Sequence, residues 1–349
     1  MAQVFDTLEQ VYGHGFDTVI DVRSPAEYAH DHIPGAISLP VLSNEQRAHV
    51  GTIYKQVSPF DARKIGAALV ARNAAAHISG PLADKPGGWR PLIYCWRGGQ
   101  RSNSFASILQ QIGWRADVLD GGYQTYRRLV VAAMHDTALP HRLVLLDGNT
   151  GTAKTALLQR VAAHGGQVVD LEALAGHRGS LFGRRAGGQP SQKAFEGRLA
   201  AAFGALDPAR AVLVEGESSR IGALTIPPSV WKAMCAADRT EVSAPLAARA
   251  RYLVRVYDDI RRDADGLTDT LASMVPLVGR AQVDSWLAMA ASGEYEALAA
   301  ALMTAHYDPR YAKSRARYGA RITRTLHLED LDPDTLERAA RDLAQPFTA

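Results

Sequence analysis

One cysteine stands where it could do chemistry: it closes an apolar run and opens the stretch Tyr94-Cys95-Trp96-Arg97-Gly98-Gly99-Gln100-Arg101-Ser102. A strand that ends in cysteine and passes through glycines into a helix sets the sulfur above a helix N-terminus. Successive backbone N–H groups there form an anion-binding nest. Arg97 and Arg101 add positive charge, so the thiol is expected to ionise below its free value of about 8.5 and to act as a nucleophile at neutral pH. Gly98 and Gly99 supply the dihedrals such a cradle needs, and Ser102 is expected to cap the helix. Cys235, among the small and apolar residues of WKAMCAAD, reads as an inert buried thiol.

A second loop, Gly148-Asn149-Thr150-Gly151-Thr152-Ala153-Lys154-Thr155, follows the apolar run LVLLD and opens a helical pattern, the context a P-loop requires. Its amides and Lys154 would cradle a diphosphate, and the Thr155 hydroxyl would hold Mg2+. Ala153 stands where GxxxxGK[ST] has its second glycine, so the loop is expected to be tighter and ordinary nucleotide hydrolysis is not favoured. AVLVEGES resembles the second strand of P-loop proteins, with Glu215 or Glu217 as candidates to orient Mg2+ or a water. Between these lies Asp170 to Leu199, where His177, Arg178, Arg184 and Arg185 gather with Gly176, Gly179, Gly183, Gly187 and Gly188 in a mobile basic loop that would close over an anionic ligand. Near the C-terminus, arginines and lysine interleave with Tyr307, Tyr311 and Tyr318 in a pattern that suits an RNA backbone and unstacked bases. Arg310, Lys313, Arg317 and Arg321 are the candidate RNA contacts there, against the plainer reading of a solvated helix face.

These loops need elements to position them. Residues 17–40 read as a strand (Thr18 to Val22), a helix around Ala26 to His30 and a second strand ending at Pro40. A helical run from Phe60 to His77, the strand PLIYC, the helix RSNSFASILQQIG, the strand ADVLDGG and the helix YQTYRRLVVAAM follow. This is an α/β unit with a mostly parallel sheet, interrupted by one conspicuous loop from His77 to Arg90. After Leu139-Pro140 the strand–loop–helix pattern restarts, and from Pro228 onward helical periodicity dominates. Two domains are expected, 1–138 and 139–349. With 349 residues, 47% hydrophobic and 21% charged, the chain has the composition of a soluble globular protein. No apolar run approaches a membrane span, no export signal leads the chain, and a cytoplasmic address without membrane partners is expected. Two cysteines 140 positions apart give neither a disulfide framework nor a zinc site. A net charge of +3 leaves polyanion binding to local clusters.

Cysteine, five residues and arginine is also the spacing of cysteine-dependent phosphatases, in which the arginine grips phosphate, whereas chalcogen carriers hold a persulfide or perselenide in a similar cradle. Spacing leaves both open. DVRSPAEYAHDHIPGAISLP with the later LDGGYQTYRR resembles the two signature regions flanking a rhodanese domain, although the cysteine loop is one residue longer than in single-domain rhodaneses, which suits a bulkier substrate. Together with GNTGTAKT, DLEALAGHRGSLFG, QPSQKAFE and VEGESSRIG, the chain resembles the tRNA 2-selenouridine synthases, from about Asp17 to Gly222. That resemblance implies an N-terminal rhodanese-like domain followed by a P-loop α/β domain with a helical C-terminal part. It also implies a transferase whose partner is tRNA with a wobble 2-thiouridine. The sulfur would be geranylated from geranyl diphosphate and then replaced by selenium from selenophosphate, with no tightly bound cofactor. Cys95 with Arg97 and Arg101 would serve the selenium stage and the P-loop the diphosphate stage, with one basic surface spanning Arg97, Arg178 and the tail. Two rival readings stay open: a rhodanese-related phosphatase, and a non-enzymatic RNA-binding module.

Overall fold

Short apolar runs build two five-stranded sheets, all of whose pairings are parallel. The structure is a computed structural model that describes residues 2–318 and 321–348; the side chains at 314, 316–318 and 348 lie outside that description. Two units emerge, residues 1–137 with 190–205 and residues 138–189 with 206–349. No single cut in the sequence describes that partition, because Pro190–Ala205 belongs with the first unit.

The first unit contains β1 (Ala2–Gln3), β2 (Thr18–Asp21), β3 (Ile37–Ser38), β4 (Pro91–Tyr94) and β5 (Asp117–Leu119), in spatial order β1-β5-β4-β2-β3. All four residues of β4 are buried, as befits a parallel strand covered on both faces. Ile20, Ile93, Phe105, Leu109 and Trp89 belong to one apolar cluster. The helix expected from Phe60 runs Pro59–Ser79, started by Pro59 at its first position and by the Ser58 hydroxyl, which accepts from the Asp61 amide. A helix at Asn44–Gln56, with a capping box of Ser43 and Gln46, was not among the expected elements.

The basic turn region within Asp170 to Leu199 has a helix on either side of it in the sequence. Leu171–Ala175 is helical, and so is Gln192–Gly204. The second of these buries Phe195, Leu199 and Phe203. Glu196 pairs with Arg127, and its other oxygen lies 3.2 Å from His135 Nε2. Its Gly197 lies so close to Tyr126 that a Cβ would meet the phenol oxygen at 2.5 Å.

The second unit contains β6 (Leu143–Gly148), β7 (Val168–Val169), β8 (Val212–Glu215), a hairpin of β9 (Arg220–Ile221) and β10 (Leu224–Thr225), β11 (Asp238–Ser243) and β12 (Ile322–His327). Its main sheet has the order β12-β11-β6-β8-β7. From Pro228 onward the chain is mainly helical, as expected, and it carries two strands besides, β11 and β12. Both are polar strands: β12 alternates Ile322, Arg324 and Leu326 with Thr323, Thr325 and His327 and is partly exposed along its length. Helices between Asp258 and Leu302 gather a separate core around Trp286, which includes Leu267, Leu271, Val283, Leu298 and Leu302. Among the described residues, no helix is long and apolar enough to cross a membrane.

Candidate functional site: a thiol loop and a phosphate loop

Cys95 follows β4, the middle strand of its sheet, at the carboxyl end where open parallel sheets place their ligands. The residue is 3% exposed. Its Sγ lies 3.1 Å from Ser102 Oγ and accepts from the Gly99 amide at 3.3 Å. Gly99, not Ser102, caps the helix Gln100–Ile112. Ser102 lies inside the first turn, fully buried, and its hydroxyl also reaches Gly99 O at 3.1 Å. A hydroxyl held there can donate to a thiolate and follow the sulfur through a change of charge.

The two expected arginines part company. Arg97 is exposed. Arg101 donates from Nη1 to Glu27 Oε2 at 3.0 Å, and Arg47 approaches the same oxygen at 3.0 Å. Burial raises the Glu27 pKa, but the bond and charge of Arg101 outweigh it and hold the carboxyl below its usual range. The loop is held from below by the turn after β5. Gly122, at φ +57, passes so close that a Cβ would stand 2.3 Å from Cys95 O, and Gly98, at φ +64, would bring one to 2.8 Å from Leu119 O. The Tyr123 amide donates to Cys95 O at 2.8 Å. Beside it, the buried Arg23 binds both carboxylate oxygens of the buried Asp21 and lies 4.1 Å from the Tyr123 ring centroid, while Tyr123 donates to Asp31 at 2.7 Å. Glu27, Asp21 and Asp31 all fall in the DVRSPAEYAHDH stretch, so the motif was visible though their contacts were not.

The phosphate loop leaves β6, again the middle strand. Gly148, at φ +148, must be glycine because a Cβ would meet Val242 O at 2.4 Å. Ala153 caps the helix Lys154–Ala163 in the left-handed region, at φ +61 and ψ 27, the one non-glycine residue with positive φ among those described. The methyl therefore leaves the loop in the conformation glycine would take and adds about 1–2 kcal/mol of strain. Lys154 Nζ donates to Gly148 O at 2.9 Å and Asn149 O at 3.3 Å, and sits 5.4 Å from the Tyr311 ring centroid. Around the loop, Arg239 pairs with Asp147 at 2.8 Å, Arg315 binds Glu241 and Asn149 Oδ1, and Arg249 reaches Thr150 O at 3.1 Å while clasping Asp308.

A cleft of about 1280 Å³ opens beside Lys154 and Thr155 and is walled by His177, Arg178, Arg184 and Arg185. The basic segment is a tight turn in which His177 bridges to Arg184 and the Arg178 amide donates to Gly183 O at 2.8 Å. Arg178 pairs with Asp259 at 2.9 Å and stacks over Tyr257 at 4.8 Å. Burial, then the charges of Arg184, Arg185 and Arg178, lowers the His177 pKa, which favours the neutral ring. Of the two expected acids only Glu217 lines the cleft. Burial and the Glu172 charge push its pKa up to about 8 against the pull of Lys154. Glu215 is buried beneath, accepts from the Glu172 amide at 3.1 Å, and is raised well above the carboxylate range by burial and then by its acidic neighbours. Glu172, which sequence reasoning passed over, lines the cleft with its carboxylate 3.4 Å from Thr155 Oγ1.

The C-terminal candidates scatter. Arg310 lines the cleft beside His306, with 3.3 Å between their nitrogens. Lys313 is exposed, Arg321 pairs with Asp238 at 3.2 Å, and the Arg317 side chain lies outside the described residues. Tyr307 and Tyr311 turn into the cleft wall instead of standing out as stacking platforms.

The fold and the two loops define a class: a rhodanese-like domain joined to a P-loop domain. The family model described as a rhodanese-like domain matches residues 5–129, and that described as the tRNA 2-selenouridine synthase AAA domain matches 141–268. A tRNA 2-selenouridine synthase of Cupriavidus pinatubonensis is 31% identical over 339 residues, covering 87% of this chain and 90% of that one. The chain belongs to the tRNA 2-selenouridine synthase family. Relatives of the same name from Hahella chejuensis and Nitrosomonas europaea are 37% and 34% identical over 68% of this chain, and in both cases the chain spans 63% of the relative's length. Among solved structures, the N-terminal domain of a Clostridium difficile protein is 32% identical, covers 38% of this chain and 99% of that one, and gives a TM-score of 0.32.

Proposed function

We propose that the protein is a transferase that converts 2-thiouridine at the wobble position of tRNA to 2-selenouridine in two stages, one at each loop. In the first, the 2-thio sulfur attacks C1 of geranyl diphosphate; the carbon–oxygen bond breaks, diphosphate leaves, and the base gives up its N3 proton. In the second, the selenium of selenophosphate adds at C2, geranyl thiol departs with a proton, and water cleaves the phosphorus–selenium bond, releasing phosphate and leaving the 2-seleno base. Sulfur leaves poorly as a bare thiolate, and alkylation avoids that build-up of charge.

The observation that carries this reading is a pairing within one chain of this family: a buried thiol held by Ser102 and Gly99, and a lysine phosphate loop beside a cationic cleft. Lys154 and the loop amides hold the diphosphate, and Arg184 and Arg185 line the same cleft. Binding a diphosphate without hydrolysing a nucleotide suits a loop that tolerates Ala153. Thr155, with Glu172 and Glu217, fits Mg2+, since carboxylates whose ionisation burial opposes gain most from a cation. The ion would supply neutralisation of the departing diphosphate charge. Cys95 assists the delivery of selenium, with Arg97 and Arg101 as the nearby cations, and Arg310, Lys313, Arg317 and Arg321 serve as tRNA contacts. The protein would act in the cytoplasm.

The test is nucleoside mass analysis of 2-thiouridine-containing tRNA after incubation with protein, geranyl diphosphate and Mg2+, with and without selenophosphate. A geranylthio product that becomes the seleno product only with selenophosphate supports the reading. Unchanged tRNA from folded protein removes it.

A further inference from the structure

Beside the phosphate cleft lies a smaller pocket of about 90 Å³. The two cavities share Thr150, Ser180, Leu253, Tyr257 and Tyr307, so they adjoin at the phosphate loop itself. Away from that border the small pocket is walled by Val254, Ile260, Leu267, Leu298, Leu302 and Met303. Its only charged lining group, Arg261, is already paired with Asp258 and lies 5.5 Å from the Tyr295 ring centroid. Phe182, on the basic turn, contributes one more wall and packs against the helical core. A nucleobase would bring ring nitrogens and carbonyls that these walls leave unpaired, at a cost. An unfunctionalised hydrocarbon brings no polar group of its own to be paired and gains from leaving water.

We propose that this pocket is the subsite for one isoprene unit of the apolar chain of a prenyl diphosphate whose phosphates sit at Lys154, with Phe182 and Ala299 setting how much chain it admits. The inference rests on the diphosphate reading above and adds to it a place for part of the tail. It also assigns the basic turn a double part: arginines toward the phosphates and Phe182 toward the chain.

Calorimetric titration of the full chain with inorganic pyrophosphate and with geranyl diphosphate tests it. In the unsubstituted protein geranyl diphosphate is expected to bind at least about tenfold more tightly than pyrophosphate. Ala299→Phe fills the pocket and should erase that advantage, leaving pyrophosphate within twofold. Phe182→Ala, on a turn where folding is less at stake, should reduce geranyl diphosphate affinity about three- to fivefold and again spare pyrophosphate. If geranyl diphosphate binds and is transferred yet both variants keep its full advantage, the subsite is wrong and the proposed function stands. Equal losses for both ligands also overturn the subsite, because the change then acts on the phosphate end. If the unsubstituted protein has no affinity for geranyl diphosphate, the proposed function fails and takes the subsite with it.

Discussion

Two loops leave the middle strands of two parallel sheets and open two helices, yet they are held differently. The thiol loop is fixed by close backbone packing: Gly98 and Gly122 meet where neither has room for a side chain, and the Tyr123 amide ties Cys95 O. The phosphate loop shares one such close approach, Gly148 against Val242 O, but adds charge to it, with Arg239, Arg249 and Arg315 each bonded to the loop or to the strand that bears it. Backbone packing is indifferent to what a ligand brings. Ion pairs and a cationic cleft respond to each added negative charge, which suits the proposed binding and release of diphosphate.

That contrast can be broken first at the reacting groups. Cys95→Ala should abolish the seleno product and leave geranylation within about twofold; loss of both in a folded variant would end the division of labour between the loops. Lys154→Ala should reduce geranylation about 100-fold or more while stability stays near that of the parent, since the ammonium is worth most where charge develops. Rates from single-turnover assays decide it. Gly122→Ala forces a side chain into a positive-φ position with a carbonyl in the way and should cost about 2–4 kcal/mol in chemical denaturation. Pyrophosphate affinity should not move, because the damage is confined to the first unit.

Smaller effects sharpen the same contrast. Glu217 carries a proton at neutral pH and loses it as pH rises through about 8. Without Mg2+, ionisation then places an uncompensated negative charge beside the diphosphate, so metal-free pyrophosphate affinity should fall several-fold across pH 7 to 9, and Glu217→Gln should flatten that fall. A profile unchanged by the substitution would show that another group titrates. Ala153→Gly relieves left-handed strain but frees the unfolded chain, so a net gain of only about 0.5 kcal/mol is expected from thermal melts.

Both loops were legible because strand, glycine turn and helix follow one another within a dozen residues, and local rules suffice for local structure. The same rules misassigned Ser102, since a serine beside a helix start reads as a cap until the sulfur's position is known. β11 and β12 escaped because their apolar positions are sparse and interrupted by Arg, Glu and Thr, and their register comes from neighbours far along the chain. Glu172 and Arg315 were hidden for a like reason: each acts on a loop remote in sequence. Interleaved tyrosines and arginines suggested a surface for RNA, but composition does not reveal which way a helix faces, and Tyr307 and Tyr311 face the cleft.

The helix Gln192–Gly204 gives the first unit a debt to a later part of the chain. During synthesis the ribosome makes residues 1–137 and must then make the phosphate loop before the helix that covers Tyr126 and pairs with Arg127 exists. At 5–20 residues per second that interval is on the order of several seconds. For its duration the thiol-bearing half waits unfinished, with the partners of Phe195, Leu199 and Phe203 uncovered, a window in which a chaperone has something to hold.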